Sequence, residues 1–324
     1  MKYFLASVAI SLAGWAQPAW NVELSNEKAG VDIDRFIGLP QNAPVHISHG
    51  GLLYHAILKN GDPYKPGLSG AVLEYRKDIS VASLLPKNQT QLAALPDQHF
   101  FIVKEGQGRL DDGRSYWDLK PGVAILAPPN VPHRFTNTGE KTVEMIMMRW
   151  TAAGTPGNEL LVRDTEKLPY CEENAHWNNT SKCIFGAADG LFQNERMYVV
   201  MLQPWAMSAP HVHGEGTEEI WTKLTPGTAV INIGSELREM PENSAYLVPP
   251  TGITSHANFN LSKDKVEWWL YVARGRAPAV ASSTPNVSAN AGRGGGGGGG
   301  AARAGNPNLS RDVKDSIIAG KPLK

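Results

Sequence analysis

Short apolar runs, punctuated by glycine, proline and asparagine, pattern most of this chain, and long stripes of helical period are scarce. Runs of that kind bounded by turn residues read as β-strands. One order of runs occurs twice. Gln98-His99-Phe100-Phe101-Ile102-Val103-Lys104-Glu105, ending at Gly106, compares with Glu218-Glu219-Ile220-Trp221-Thr222-Lys223-Leu224, which leads to Gly227. Val143 to Trp150 compares in the same way with Val266 to Val272. The pattern predicts an all-β protein whose two halves repeat one strand order.

Both ends depart from this pattern. Met1-Lys2 supplies a positive charge, and the apolar stretch from Tyr3 closes at Gly14-Trp15-Ala16 before Gln17. That is the form of a secretory signal peptide over 1–16, too short to span a bilayer, with cleavage after Ala16 or after Ala19. No other run is apolar for long enough to cross a membrane, so the mature protein is expected to be exported and soluble, either secreted or periplasmic. Cys171 and Cys183, the only cysteines, are then expected to close a small loop by a disulfide, as oxidising compartments favour. From Ala277 onward the chain turns to Ala, Pro, Ser and Asn, then to the unbroken glycines Gly294 to Gly300. Such a run buries too little surface to offset its chain entropy, so 277–324 reads as a flexible tail, with room for a short helix over Asp312 to Ala319. A phosphate-binding reading of the glycines fails, because no strand precedes them and no Lys-Ser/Thr follows.

Charge narrows the partners. Lys plus Arg equals Asp plus Glu, for a formal net charge of zero, and no basic stripe occurs. Nucleic acid and anionic membrane surfaces are therefore not expected as partners. A small-molecule substrate or ligand is.

The candidate chemistry is concentrated in the second half. His211-Val212-His213 is followed by Gly214-Glu215-Gly216-Thr217, then Glu218-Glu219, and later by His256 and Asn260 after Pro250-Thr251-Gly252. In an extended segment, residues two apart share a face, so His211 and His213 can offer imidazoles to one point. Imidazole nitrogen with a carboxylate is a borderline-soft set, suited to one divalent transition metal, Fe, Mn, Ni, Cu or Zn. The competing reading is a solvated histidine pair at a strand edge, with Glu218 and Glu219 as surface charge.

These residues resemble the cupin superfamily. Its first motif pairs a His-x-His strand with a Glu opening the next strand, and its second sets a Pro-x-Gly turn before a His followed four residues later by Asn. The resemblance implies His211, His213, His256 and one acidic residue as metal ligands. Counting from His213 selects Glu218; aligning Glu219-Ile220-Trp221 with the family's Glu-hydrophobic-aromatic strand selects Glu219, and the two glycines of the preceding loop tilt the choice to Glu219. Strand alternation admits only one of the two to the inside. If it is Glu219, Trp221 and Lys223 share its face.

The first half carries the second motif too, in Gly122 to Asn137, where Asn130 takes the place of the turn glycine and tolerates left-handed backbone angles. The resemblance thus implies a bicupin, two tandem jelly-roll barrels: a signal peptide over 1–16, an N-terminal barrel over 17–160, a C-terminal barrel over 161–276 and the tail over 277–324. The N-terminal copy lacks nitrogen donors where His-x-His would fall, near Leu92-Ala93-Ala94, and His99 stands in place of Glu219. With His133 as the second imidazole, this barrel is expected to hold no metal, and His99 and His133 are read as core or surface residues. His46, His49 and His55 precede it without an acidic residue at ligand spacing and are expected to be solvated or hydrogen-bonded, outside any site.

An open site of three His and one Glu can polarise an oxygen, acidify bound water or activate dioxygen beside a chelated substrate. Three readings follow: a metal-dependent oxidoreductase, dioxygenase-type, acting on a small aromatic or enolisable compound; a redox-neutral decarboxylase, lyase or isomerase; and a non-catalytic binding bicupin with an architectural metal. Trp205, Trp221, Trp268 and Trp269 lie on or near the strands concerned and can wall a cavity for a flat substrate or simply pack the core. Lys223 and Tyr246 are acid–base candidates if they face inward. A homodimer is expected from the resemblance alone.

Overall fold

The computed structural model describes residues 32–152, 155–173, 179–192, 194–275 and 313–323. The signal-peptide stretch 1–16 and the glycine run 294–300 lie outside the described residues. Strand follows strand, separated by turns and short 3-10 turns, and among the described residues no helix is long and apolar enough to cross a membrane.

Two large sheets share one strand order. The first runs Leu161–Asp164, Val123–Ala127, Gln98–Glu105, Val143–Trp150, Asp78–Leu84, Leu52–Asn60, Val45–Ser48. The second runs Ile37–Gly38, Ala245–Val248, Glu218–Lys223, Glu267–Arg274, Glu195–Leu202, Asn179–Phe185, Glu172–Glu173. Each is faced by a smaller sheet, Arg134–Asn137 with Gly108–Asp111 and Ser115–Leu119 in the first, and His256–Phe259 with Ala229–Ile233 and Glu236–Met240 in the second. The protein is thus two tandem jelly-roll barrels, as the repeated strand order predicts.

Burial explains why the central strands read as unbroken apolar runs. Phe101 and Val103 point into the first barrel with Leu110, Trp117 and Phe135. Their neighbours Phe100 and Ile102 point the other way, into a cluster shared with Ile220, Leu270 and Val272 of the second barrel. The large sheets therefore pack back to back, and strands covered on both faces lose the polar half of their alternation. Each fully buried Phe, Ile or Leu in that shared layer contributes about 1.5–3 kcal/mol.

The chain ends cross between barrels. Ile37–Gly38 pairs antiparallel with Ala245–Val248 of the second barrel, Ile37 opposite Tyr246. A β-carbon on Gly38 would stand 2.1 Å from Ile57 O, so this edge accepts only glycine. Leu161–Asp164 takes the equivalent edge of the first barrel, so the boundary at 160/161 cuts through that barrel's sheet. At the other end Lys321–Pro322 pairs with Ser115–Leu119, Trp117 Nε1–H donates to Ile318 O at 2.9 Å, and Ile318 packs on the first barrel's core. The tail that composition marks as flexible is therefore ordered over 313–323, and the short helix is a single 3-10 turn, Lys314–Ser316. Composition dominated by glycine conceals a short apolar anchor at Val313 and Ile318. Cys171 and Cys183 form the expected disulfide, with Cα atoms 5.7 Å apart.

Candidate metal centre

The strand Glu218–Lys223 is buried on both faces, and its alternation assigns the two acids. Trp221 joins the core of the second barrel and Ile220 the layer between barrels, so Glu219 faces in and Glu218 faces the first barrel. His211, His213, Glu219 and His256 each place one donor atom within 4.8 Å of the others. Glu218 lies apart from them. Its carboxylate accepts the backbone N–H groups of Glu74 and Tyr75 at 2.6 and 2.8 Å and pairs with Arg76, whose other nitrogen meets Glu195 at 2.6 Å.

Local bonds hold the histidines in place. His211 and His256 form an isolated antiparallel bridge, with His256 N–H donating to His211 O at 3.1 Å. His211 and His213 thus sit on a bridged loop and not on a continuous strand. Asn260 Nδ2 donates to Leu202 O and Lys265 O, and its Oδ1 accepts Ser262 N–H. The motif asparagine therefore staples the turn after His256 and leaves ligation to others. His211 Nδ1 lies 2.8 Å from Ala209 O, the anchoring that presents Nε2 to a metal. Glu219 is oriented by Trp221 Nε1–H at 2.8 Å on Oε1 and by the Tyr271 hydroxyl at 3.1 Å on Oε2.

Burial alone would push the Glu219 carboxyl up, but His256 and His213 outweigh it and hold the group well below the usual carboxylate range. Burial, with Glu219 close by, pushes the phenols of Tyr246 and Tyr271 well above 10.0, so both stay protonated. Tyr246 donates to Asn258 Oδ1. Lys223 shares Glu219's face, yet its Nζ donates to Thr225 O and Oγ1, and burial lowers its pKa.

The donors themselves fit a metal. His213 Nε2 lies 2.6 Å and His256 Nε2 2.9 Å from the oxygens of Glu219, yet neither nitrogen makes a well-directed hydrogen bond, and His256 Nδ1 has none. Buried polar atoms that converge without satisfied partners are what a cation would satisfy. Three imidazoles and one carboxylate are the borderline donor set of a divalent transition ion.

Of the four tryptophans, Trp221 stands beside the centre, its ring centroid 6.5 Å from that of His256. Trp269 is core, Trp268 packs against the inter-barrel layer, and Trp205 is exposed on a turn. The aromatic wall is therefore narrower than the sequence suggests.

The first barrel repeats the scaffold. Ala93 bridges His133 as His211 bridges His256, and His99 lies opposite Ala127 as Glu219 lies opposite Val248. His46 lies against Tyr54 with its ring tilted by 34°, and His55 Nδ1 meets Ala43 O, both outside any site. His49, which its spacing sets outside any site, is buried with its Nε2 2.8 Å from His133 Nε2. Nothing in the local spacing marks it, because the two lie 84 residues apart.

Residues 83–149 match the family model described as "Cupin domain". No curated protein sequence matches the chain. Among solved structures it is similar to AerE from Microcystis aeruginosa, at 12% identity over 74% of this chain and 99% of that one, TM-score 0.56. It is also similar to the 7S globulin of Momordica charantia, at 9% identity over 75% and 85%, TM-score 0.56. An oxalate decarboxylase variant from Bacillus subtilis aligns at 11% identity over 76% and 79%, TM-score 0.55. The chain thus has the fold of two tandem cupin-type barrels, and residues 83–149 match the cupin domain model.

Proposed function

We propose that the protein is an exported, metal-dependent oxidoreductase of dioxygenase type, acting on a small aromatic or enolisable compound at the C-terminal centre. The convergence of His211, His213, Glu219 and His256 within 4.8 Å carries this reading. A redox-active metal held there would supply oxygen activation and Lewis acidity. The rest is the work of this chain's residues. Trp221 and Tyr271 fix the carboxylate of Glu219, a second layer of bonds that sets ligand orientation and basicity. Tyr246 and Tyr271 are kept protonated and serve as donors only. Lys223 is bonded to Thr225, so neither it nor the protonated tyrosines offers a base to the centre. That favours metal-centred chemistry over base-driven isomerisation.

Elemental analysis of the purified protein and of the His211→Ala/His256→Ala variant tests the site. About one equivalent of iron, manganese, copper or nickel should be lost from the variant, and oxygen uptake with catechol-type and enol-type probes should vanish with it. Turnover without oxygen uptake and with zinc in the site would replace this reading by a redox-neutral decarboxylase or lyase. Ligand binding without turnover would make the protein a binding bicupin.

A further inference from the structure

We propose that the N-terminal barrel holds a second, weaker site for a divalent transition metal, built from His49, His99 and His133. The His-x-His pair is gone from this barrel, and Ala93 occupies the bridge position that His211 holds in the other. The space is filled from outside the repeated motif. His49 enters from the turn between Val45–Ser48 and Leu52–Asn60, where its carbonyl accepts Gln91 N–H at 2.7 Å. Its backbone is left-handed, φ 50°, uncommon for a residue with a side chain.

Three rings meet there. Their centroids lie 4.8 Å apart for His49 and His133, 5.3 Å for His49 and His99, and 5.9 Å for His99 and His133. In the C-terminal centre the three histidine rings lie 4.4, 4.6 and 5.1 Å apart. Rings sharing an ion at about 2.1 Å through Nε2 place their centroids about 4.5–5.5 Å apart, so the His49 pairs fall in that range and the His99–His133 pair just outside it.

Each ring is anchored through Nδ1: His133 on Val131 O at 2.8 Å, His99 on Asp97 O at 3.1 Å and His49 on Ser48 Oγ at 2.8 Å. Anchoring of this kind turns Nε2 toward a metal. Hydrogen bonding alone satisfies two rings, through the Ser48 hydroxyl donating to His49 Nδ1 and His49 Nε2–H donating to His133 Nε2. It leaves His99 Nε2 buried with no hydrogen-bond partner, in a side chain only 1% exposed. A shared ion satisfies all three.

With three neutral imidazoles, no ligating carboxylate and the Arg149 guanidinium nearby, paired to Asp78, the site suits Zn(II), Cu(II), Co(II) or Ni(II) and binds less tightly than its C-terminal counterpart.

The full chain carrying His211→Ala and His213→Ala, which removes two partly exposed C-terminal ligands, tests this without reference to activity. Titrated with Co(II), it should take up about one equivalent with visible d–d absorption. Adding His133→Gln, or His49→Asn, which keeps a residue that tolerates left-handed backbone, should abolish that uptake, and His99→Gln should weaken it at least about tenfold. Absence of Co(II) binding by the parent, or its retention in both the His49 and His133 variants, overturns the site. Should those variants fail to fold, Cu(II) paramagnetic resonance of the parent decides. Coupling to three nitrogens supports the site, and fewer overturns it. Failure of the C-terminal centre would appear separately, as an unchanged metal content on going from the wild-type chain to the parent.

Discussion

The two barrels carry the same stapling bonds at matching places relative to the second-motif histidine, and different donors at the same end. Asn137 Nδ2 donates to Leu84 O and Lys141 O as Asn260 Nδ2 donates to Leu202 O and Lys265 O. Thr90 Oγ1 accepts Phe135 N–H at 2.9 Å where Ser208 Oγ accepts Asn258 N–H at 2.8 Å. Yet Glu219 in one barrel is His99 in the other, and His211 is Ala93. The bonds that hold the turns are thus separable from the donors that turns present, and a barrel can exchange its donors while its frame stays intact. The family match makes the same point, since residues 83–149 span the barrel whose ligand set has changed.

The sharpest way to break this comparison is to exchange the roles of the adjacent acids. Glu219→Gln should lower C-terminal metal affinity by about a hundredfold or more and leave the metal-free fold largely unchanged, because a ligand oxygen and its charge are lost. Glu218→Gln should keep the metal but destabilise the protein by about 3–5 kcal/mol, since Arg76 is buried between Glu218 and Glu195. Metal titrations and urea melts of both variants check this, and the opposite pattern would reverse the inside–outside assignment of the strand.

A smaller effect is expected one bond further out. Trp221→Phe removes the donor to Glu219 Oε1 and should cost about 10–100-fold in metal affinity, with the metal content at saturation unchanged.

Acid should act through the histidine cluster of the first barrel. Unfolded histidine takes up a proton near 6.5, whereas folded His49 and His99 do so only near 2 and 3. Between those limits the unfolded state binds more protons, so stability of the metal-free protein is intact above about pH 6.5 and falls as pH drops below it. The slope is at most about 1.4 kcal/mol per pH unit for each histidine. Urea midpoints measured from pH 7.5 to 5 should fall, and the fall should be shallower in His49→Asn and His99→Gln. A pH-independent midpoint would mean that these rings are not buried neutral.

Least in magnitude is the returning end of the chain. Deleting 313–324 removes the Trp117–Ile318 bond and the packing of Ile318, and should cost about 1–2 kcal/mol with no change in C-terminal metal binding.

Much of the fold is legible in the residue pattern. Short apolar runs bounded by turn residues predict strands, because strands buried on both faces are apolar throughout and too short for helices. The repeat of runs predicts two barrels, short-range spacing pairs His211 with His213, and the cupin resemblance adds His256. The order of the last chain segment is hidden, since seven glycines outweigh Val313 and Ile318 in any composition. Trp205 lies near the ligand residues in sequence but stands exposed on a turn of left-handed backbone, φ 57°.

What the sequence by itself determined is therefore strand identity, the repeat and the His211–His213 pair set by near spacing. Tertiary structure fixed which face of Glu218–Lys223 looks inward, where the motif alignment only tilts to Glu219, because both faces are buried and the alternation that would reveal it is erased by the first barrel packed behind it. It also decided that His49 belongs with His133 across 84 residues. Contacts of that kind are made by closing a loop against a packed core, and nothing in the spacing of residues along the chain encodes where the loop will land.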